Sequence, residues 1–243
     1  MHRLKQIFED HDERGSGKWA HYVDIYEKHF EDYVGKEVHI LEIGISGGGS
    51  LQIWKKFFGP NAKIYGVDTA IECKKFEEDQ IKVFIGDQSN KKFLNSIITK
   101  IPKLDIILDD GGHMAKQQIN SFEILFPFLD VNGVYMVEDT HTSYMKKIYK
   151  GSFNAKNTFI SHMKKHIDYL HAWHSDDSRL RVNDFSTSVE SMTFYNSIVV
   201  INKKPISQPV QISTGVTWLP KNPNLGIYER IKNRIKMMLG NEL

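Results

Sequence analysis

LDIILDDGGHMAKQQINSFEILFPFLDVNGVYMVEDTHTSY, residues 104–144, is the stretch that decides the predicted fold. Two apolar runs in it, 104–108 and 133–137, each lead directly into a group of polar residues. The groups are Asp109, Asp110 and His113 after the first run, and Glu138, Asp139 and His141 after the second. Apolar runs that end in carboxylates are typical of parallel strands in an α/β sheet, whose carboxyl ends bring side chains to one edge.

Two neighbouring strands of this kind would place Asp110, Glu138, Asp139 and His113 around a single point. Three carboxylates at such a point suit a hard divalent cation such as Mg²⁺ or Mn²⁺. The structural alternative is that the acidic residues are helix N-caps. Four polar groups at two strand ends are poorly explained in that way, so we predict a metal site.

The composition limits the class of protein. A chain of 243 residues can form one α/β domain with additions, or at most two small domains. The formal net charge of +2 does not predict a nucleic acid or an anionic membrane as partner. Cys73 is the only cysteine, which excludes an intramolecular disulfide and any multi-cysteine metal site. No apolar stretch is long enough to span a bilayer and the N-terminus has no signal-like region, so we expect a soluble cytoplasmic protein.

The predicted sheet is mostly parallel and seven-stranded. Further strands are indicated by the runs 38–43, 62–70 and 81–90, and residues 191–204 indicate an antiparallel hairpin that turns at Tyr195–Asn196. With right-handed crossovers, the fold is predicted as α/β, a doubly wound Rossmann-like sheet with a C-terminal antiparallel hairpin. The central domain is predicted at 38–204.

The N-terminal region, 1–37, is predicted as a helical cap. Its segment KWAHYVDIYEKHF, 18–30, has an aromatic face at helical spacing formed by Trp19, Tyr22, Val23, Tyr26 and Phe30. Packing on the sheet is the simpler explanation of this face. The alternative is a lid over a ligand, formed by Lys18, His21, Tyr22 and Tyr26.

A glycine-rich turn follows the first strand, with the pattern E-x-G-x-x-x-G-G that begins at Glu42 and Gly44 and includes Gly48. Ser50 is predicted to cap the helix after it. Glycines let the backbone turn tightly beside a ligand, and a carboxylate there favours a ligand with an ammonium group over a pyrophosphate. Asp68, at the end of the second strand, is predicted either to accept ribose hydroxyls or to cap a helix. Asp87 follows the third strand and would contact an adenine amine.

The chain beyond Tyr144 carries weaker signals. Residues 158–170 form a predicted helix, on which His162 and His166 are better explained as surface histidines than as a metal pair. The polar segment 171–190 is predicted as a loop near the site. Four prolines between 205 and 223 predict an extended arm, and 226–239 a basic amphipathic helix. Docking of this helix on its own domain or on a second subunit is favoured over membrane binding, and we expect a homo-oligomer. The region 205–243 is thus predicted as an extended arm and a helix.

Together these motifs resemble the class I S-adenosylmethionine-dependent methyltransferases. Within that class the chain is similar to metal-dependent sugar O-methyltransferases of the mycinamicin and macrocin type and of bacterial polysaccharides. The resemblance spans roughly residues 15 to 145 and is most specific in DDGGH, 109–113, and EDTHTSY, 138–144.

The resemblance implies roles for individual residues. Asp110, Glu138 and Asp139 would bind Mg²⁺ or Mn²⁺, His113 would be the general base, and His141 is a second candidate base. S-adenosylmethionine would be bound by Glu42, Gly44 and Gly48 at its methionine part, by Asp68 at the ribose, by Asp87 at the adenine and by Asp109 near the methyl group. Ser50 and Tyr22 complete the predicted cofactor-binding set.

The glycine turn is compact compared with that of the macrolide enzymes, and the long N-terminal domain of some of them is absent from this sequence. These departures favour a nucleotide-linked or polysaccharide sugar as the small-molecule substrate, a heptose among the candidates. The alternatives are a catechol-like aromatic O-methyltransferase, an NAD-binding dehydrogenase and a non-catalytic binding protein. The missing G-x-G-x-x-G counts against the dehydrogenase, and the retained acidic residues count against the binding protein.

Overall fold

The computed structural model describes residues 3–215 and positions 226, 227, 229, 231, 232 and 234. Its strands are β1 His39–Ile43, β2 Lys63–Asp68, β3 Ile81–Ile85, β4 Leu104–Asp109, β5 Leu129–Val137, β6 Val189–Phe194 and β7 Val199–Lys203. Its α-helices are α1 Arg3–Glu9, α2 Ala20–Phe30, α3 Gly49–Phe58, α4 Lys91–Ile98, α5 Ala115–Leu125, α6 Lys146–Tyr149, α7 Phe159–Leu170 and α8 Asp184–Ser188. Short 3₁₀ turns connect several of these elements.

All of these strands form one seven-stranded sheet in the order β3-β2-β1-β4-β5-β7-β6. Neighbouring strands from β3 to β5 pair in parallel, whereas β7 pairs antiparallel with both β5 and β6. The predicted doubly wound sheet with an antiparallel hairpin is therefore confirmed. Strand order reverses between β1 and β4, which is where open α/β sheets leave a crevice for ligands.

Both faces of the sheet are covered, which explains why its central strands are continuous apolar runs. Alternate residues point to opposite faces, so that Ile40 and Ile106 pack with helices α1 to α3 while Leu41 and Ile107 pack with α4, α5 and α7. Burial of each such side chain stabilises the fold by roughly 1.5–3 kcal/mol. These contacts hold β1 and β4 side by side, and with them the polar residues at their ends.

The aromatic face of α2 packs as its periodicity predicts. Tyr26 and Phe30 are fully buried, and their rings lie 5.4 and 5.8 Å from the ring of Trp54 on α3. Trp19 differs from the rest of the predicted face because it precedes the helix and is 60% exposed. The N-terminal helices therefore share one core with the sheet.

Two sequence-based predictions about local structure are wrong. Ser50 does not cap α3, because that helix begins at Gly49 with Gly48 in the N-cap position. The segment 171–190 is not simply a loop near the site, because it contains α8, and Phe185 on α8 packs at 5.9 Å against Phe126. Phe126 lies three residues before the start of β5, so this contact is at the end of the sheet opposite the carboxyl ends of the parallel strands.

His162 and His166 on α7 lie side by side, with ring centroids 4.6 Å apart. Both rings contact the edge of Phe122 on α5, at 6.2 and 5.3 Å. Burial lowers the pKa of His162, with the charge of His166 acting in the same direction. The pair is therefore half-buried packing between α5 and α7 rather than fully exposed surface.

The chain divides into two compact units, Met1–Gln208 and Pro209–Leu243. The domain boundaries at 37 and 204 stay predictions. In the second unit, positions 226, 227, 229, 231, 232 and 234 are helical, and the rest of the predicted helix 226–239 lies outside the described residues, as do Pro220 and Pro223 of the predicted arm. Among the described helices, none combines the length and the apolar character needed to cross a membrane.

Candidate functional site

A cleft of about 480 Å³ opens at the carboxyl ends of the parallel strands, at the point where strand order reverses. Six of the predicted site residues line it: Gly44, Asp68, Asp87, Asp110, His113 and Asp139. The predicted cofactor residues and the predicted metal residues thus meet in one cavity. The structure brings these residues together from the ends of all five parallel strands.

Gly44 brings the turn after β1 into direct contact with the loop after β4. Its φ angle is +85°, and a Cβ atom there would lie only 2.1 Å from the carbonyl oxygen of Asp110. The backbone N–H of Asp110 donates to the carbonyl of Ile43 at 2.9 Å. Only glycine satisfies both the left-handed conformation and this close approach, so the residue type here sets the position of Asp110.

Asp68 organises the cofactor side of the cleft. One of its carboxylate oxygens accepts hydrogen bonds from the backbone N–H groups of Ile45 and Ser46, at 3.1 and 3.0 Å, and the other accepts from that of Ala70. Asp87 accepts a hydrogen bond from the N–H of Ser89 at 2.7 Å, which lowers the pKa of its carboxyl group. Both acids therefore sit at strand ends with fixed orientation, at the rim of the cleft.

Glu42, Ser50 and Gly48 lie behind the cleft wall. Glu42 is fully buried, and one of its oxygens accepts hydrogen bonds from Ser50 Oγ at 2.7 Å and Trp54 Nε1 at 3.0 Å. Burial raises the pKa of Glu42. A Cβ at Gly48 would meet the ring of Phe76 at 2.7 Å, so this glycine accommodates packing. These three predicted cofactor residues therefore contact other groups of the protein and are not among the residues that line the cleft.

Asp109 is also fully buried, and it supports the loop that carries Asp110. Its Oδ1 accepts hydrogen bonds from Gln88 Nε2 at 2.9 Å and from the N–H of Gly111 at 3.3 Å. Its Oδ2 has no partner within the described part of the chain. Burial raises the pKa of Asp109 to about 6, although the bond from Gln88 opposes the shift.

Asp110, His113 and Asp139 form the cluster best arranged to hold a metal ion, since one potential ligand atom from each lies within 4.8 Å of the others. His113 Nε2 is 3.5 Å from Asp139 Oδ2 and 3.9 Å from Asp110 Oδ1. Both His113 and Asp139 have positive φ angles, +55° and +50°. Strained backbone of this kind at residues other than glycine concentrates at functional sites.

Glu138 is not one of the three residues of that cluster, although its carboxylate shares a hydrogen-bond partner with Asp110. It is 1% exposed, and its Oε1 accepts a hydrogen bond from Lys18 Nζ at 3.1 Å. The same ammonium group donates to Asp110 Oδ2 at 2.7 Å and to Glu42 Oε1 at 3.2 Å. Burial alone would lower the pKa of Lys18, but the three carboxylates outweigh it and raise that pKa well above its ordinary value.

Tyr22 and His141 both approach Asp139 from outside the cleft. The Tyr22 hydroxyl donates to Asp139 Oδ1 at 2.7 Å, and His141 Nδ1 lies 3.8 Å from the same oxygen. His141 Nδ1 is also hydrogen-bonded to Ser197 Oγ. Tyr22 lines a second, smaller cavity of about 350 Å³, which shares Asp110 and Asp139 with the main cleft. The two acids thus lie between two cavities.

Two residues that contact the predicted site, Lys18 and Gln88, are not identified by the sequence patterns. The sequence pattern indicates Lys18 only as part of a possible lid and assigns no role to Gln88. The Gln88 side chain donates to Asp109 and Ser121 and accepts from the N–H of Gly112. The available signal for Gln88 was its position directly after Asp87 at a strand end, while no local pattern indicates the partners of Lys18.

The chain is similar in sequence to two O-methyltransferases from Streptomyces species. The chain is 30% identical over 200 residues to 8-demethyl-8-alpha-L-rhamnosyl tetracenomycin-C 2'-O-methyltransferase from Streptomyces olivaceus, covering 78% of this chain and 52% of that protein. It is 32% identical over 220 residues to demethylmacrocin O-methyltransferase from Streptomyces fradiae, covering 86% of this chain and 53% of that protein. No protein-family model matches the chain.

A solved structure shares the fold. It is the MycE methyltransferase from the mycinamycin biosynthetic pathway, in complex with Mg, SAH and mycinamycin VI. It superposes with a TM-score of 0.77 at 26% identity, covering 93% of this chain and 59% of MycE. This chain is a relative of the class I sugar O-methyltransferases.

The relationship covers only part of those proteins, since the chain spans about half the length of the curated relatives just described. Within that span, the mostly parallel seven-stranded sheet matches the Rossmann-like methyltransferase fold of MycE. The predicted resemblance to this family is therefore confirmed, and the relatives favour a methyltransferase over the dehydrogenase alternative.

Proposed function

We propose that this chain is an S-adenosylmethionine-dependent, divalent-metal-dependent O-methyltransferase that acts on a sugar hydroxyl. The observation that carries the proposal is a single cleft in which Gly44, Asp68 and Asp87 meet the cluster of Asp110, His113 and Asp139. The similarity to sugar O-methyltransferases, one of them solved with Mg and SAH, supports it.

The cofactor would lie over Gly44, with its ribose at Asp68 and its adenine near Asp87. Gly44 lines the cleft, and Asp68 and Asp87 are held at its rim by backbone N–H groups. Such pre-oriented carboxylates recognise hydroxyl and amine donors at low cost in conformational entropy. The adjoining Gly86 and Thr69 also line this half of the cleft.

The acidic cluster fits a hard divalent cation. Asp110 and Asp139 offer carboxylate oxygens at one point. Glu138 lies near Asp110, because the Lys18 ammonium group donates a hydrogen bond to each of these two carboxylates. Oxygen ligands of this type suit Mg²⁺ or Mn²⁺, and we propose Asp110, Glu138 and Asp139 as the residues that hold the ion. When bound, such an ion supplies Lewis-acid activation of the acceptor hydroxyl.

His113 is the proposed general base. Its Nε2 lies within 4 Å of carboxylate oxygens of Asp110 and Asp139, so the imidazole faces the point where an acceptor hydroxyl would be held. A base must reach the proton that it removes, and the position of this ring beside both acids supports that role. His141 is 43% exposed and bonded to Ser197, so we propose that it orients Asp139 from outside.

We further propose that the acceptor is a nucleotide-linked or polysaccharide sugar, a heptose among the candidates. The relatives support a sugar acceptor, and the narrower choice among sugars is the one predicted above from the glycine turn after β1. A panel of glycosides and nucleotide sugars, with catechol as the aromatic competitor, tests this with S-adenosylmethionine and Mg²⁺. Methylation of catechol but of no sugar would replace the sugar proposal with the aromatic one.

Calorimetric titration of S-adenosylhomocysteine, with and without Mg²⁺, tests the cofactor assignment. We expect micromolar binding to the wild type and a loss of about tenfold or more in Asp68→Ala, because charged hydrogen bonds contribute about 1.5–3 kcal/mol each. Asp176→Ala is the matched control, since Asp176 is exposed and is not among the residues that line the cleft. Absence of binding under every condition would refute the proposal.

A further inference from the structure

Lys18 joins the two halves of the site. Its ammonium group lies within 3.2 Å of Glu42 in β1, Asp110 after β4 and Glu138 after β5. The side chain is only 4% exposed, although Lys18 belongs to the segment that precedes α2. A lysine is rarely so deeply buried unless it is paired, and here three carboxylates pair with it.

Glu42 is a fixed anchor for this lysine. Its second oxygen is held by Ser50 Oγ and Trp54 Nε1 of α3, so the carboxylate cannot turn without losing both hydrogen bonds. The ammonium position is therefore set by α3 and the buried end of β1. This arrangement explains why Glu42 and Ser50 flank the glycine turn even though neither residue lines the cleft.

The hydrogen bonds from Lys18 leave carboxylate oxygens of the site available to a metal ion. Lys18 contacts Oδ2 of Asp110, whereas Oδ1 of the same carboxylate faces His113. Asp139, which completes the cluster, is bonded to Tyr22 and not to the lysine. Glu42, Asp110, Glu138 and Asp139 outnumber the single ammonium group, so the site still attracts a divalent cation.

We propose that Lys18 is a positioning residue for the metal-binding carboxylates: anchored by Glu42, it selects the orientation in which Asp110 and Glu138 present oxygens to a divalent cation. The inference rests on the metal site of the proposed function. Lys18 thereby also ties the N-terminal segment to the metal site, since the adjacent Gly17 lines both cavities.

The test exploits two effects of opposite sign. Removing a positive charge beside a metal site would by itself tighten cation binding, whereas losing the group that orients the ligands weakens it. Loss of such an outer partner typically costs about 10- to 100-fold in metal affinity. For Lys18→Met we therefore expect Mn²⁺ binding, followed by electron paramagnetic resonance titration of the full chain, to weaken by about tenfold or more.

Controls separate positioning from general damage. Lys55→Met removes another lysine in an ion pair, with Glu78 at 3.1 Å, and should leave Mn²⁺ affinity unchanged. S-adenosylhomocysteine affinity, measured without metal, should stay within about threefold of wild type in Lys18→Met, which a generally disordered site would not allow. If Lys18→Met does not fold, Lys18→Arg keeps the charge, changes the donor geometry and should still weaken Mn²⁺ binding.

The outcomes are distinct. Unchanged or tighter Mn²⁺ binding in folded Lys18→Met, or in Lys18→Arg where that variant is needed, would overturn the positioning role and leave the proposed metal site standing. Failure of the wild type to bind Mn²⁺ would overturn the proposed metal site and this inference with it.

Discussion

His113 and Asp139 are held in left-handed backbone conformations at φ +55° and +50°. Such conformations cost of order 1–3 kcal/mol for residues other than glycine. The surrounding contacts support them: Thr142 Oγ1 lies 3.0 Å from the carbonyl oxygen of His113 and 2.8 Å from that of Asp139, and its single proton is shared between the two. One threonine hydroxyl thus fixes the backbone of the proposed base and of a proposed metal ligand together.

Because His113 Nε2 lies near both acids, substitution can distinguish a base from a metal ligand. For His113→Gln we expect Mn²⁺ affinity to change by less than about threefold while the rate of methyl transfer falls by about 10²- to 10⁴-fold, the usual contribution of a general base. Mn²⁺ titration and single-turnover kinetics would measure the two effects.

Asp139→Asn is the comparison variant for this experiment, and it should lose metal affinity because it removes a carboxylate from the cluster. A loss of Mn²⁺ affinity in His113→Gln as large as that in Asp139→Asn would identify the histidine as a metal ligand.

At the scale of elements, the site depends on two βα turns that touch. The turn after β1 and the loop after β4 approach so closely that no side chain fits at Gly44. Gln88, after β3, adds a second connection by bonding Asp109 and Gly112 of the same loop. The loop that carries Asp110 is therefore fixed from the ends of two other strands, β1 and β3.

Gly44→Ala should destabilise the protein much more than Gly35→Ala. Both glycines have positive φ, +85° and +76°, so both substitutions carry the backbone cost of about 1–2 kcal/mol. A Cβ at Gly35 meets nothing within 4 Å, whereas one at Gly44 meets the Asp110 backbone. We expect Gly44→Ala to lose at least about 2 kcal/mol more in free energy of unfolding.

Urea denaturation of the two variants would measure this difference, and Mn²⁺ affinity should also fall in Gly44→Ala alone. Equal destabilisation of the two variants would show that the turn can move away from Asp110 without cost.

At the scale of the whole molecule, the proposed site belongs to the first compact unit. The residues directly after β7 also belong to this unit: the backbone N–H groups of Lys204 and Ile206 donate hydrogen bonds to the carbonyl groups of Ser188 and Thr187. The division between the units comes directly afterwards, at Gln208. In the second unit, Ile227 and Ile231 are 54% and 52% exposed.

A chain ending at Gln208 should therefore fold and bind S-adenosylhomocysteine like the full chain, with the free energy of unfolding changed by less than about 1 kcal/mol. Light scattering of both forms would test whether the homo-oligomer that we expect depends on the second unit. Loss of cofactor binding on truncation would show that the site requires residues beyond 208.

Much of the fold was predictable because the evidence for it is local. The strands that end at Asp68 and Asp109 are apolar runs, and their right-handed crossovers leave few possible sheets. The prediction that Ser50 caps a helix is wrong because a serine near a helix start has the same local pattern whether its hydroxyl faces the backbone or a buried carboxylate.

The sequence by itself determined which residues stand at the ends of the parallel strands, since the alternation of apolar runs and polar ends is a property of neighbouring residues. Only the tertiary structure decided which of those acids have oxygens free to face a ligand. Lys18 is 92 residues from Asp110 and 120 from Glu138 in the chain, and no local pattern specifies contacts over such distances. They form because helices α2 and α3 pack on the sheet and bring the buried ammonium group to the carboxyl ends of its strands.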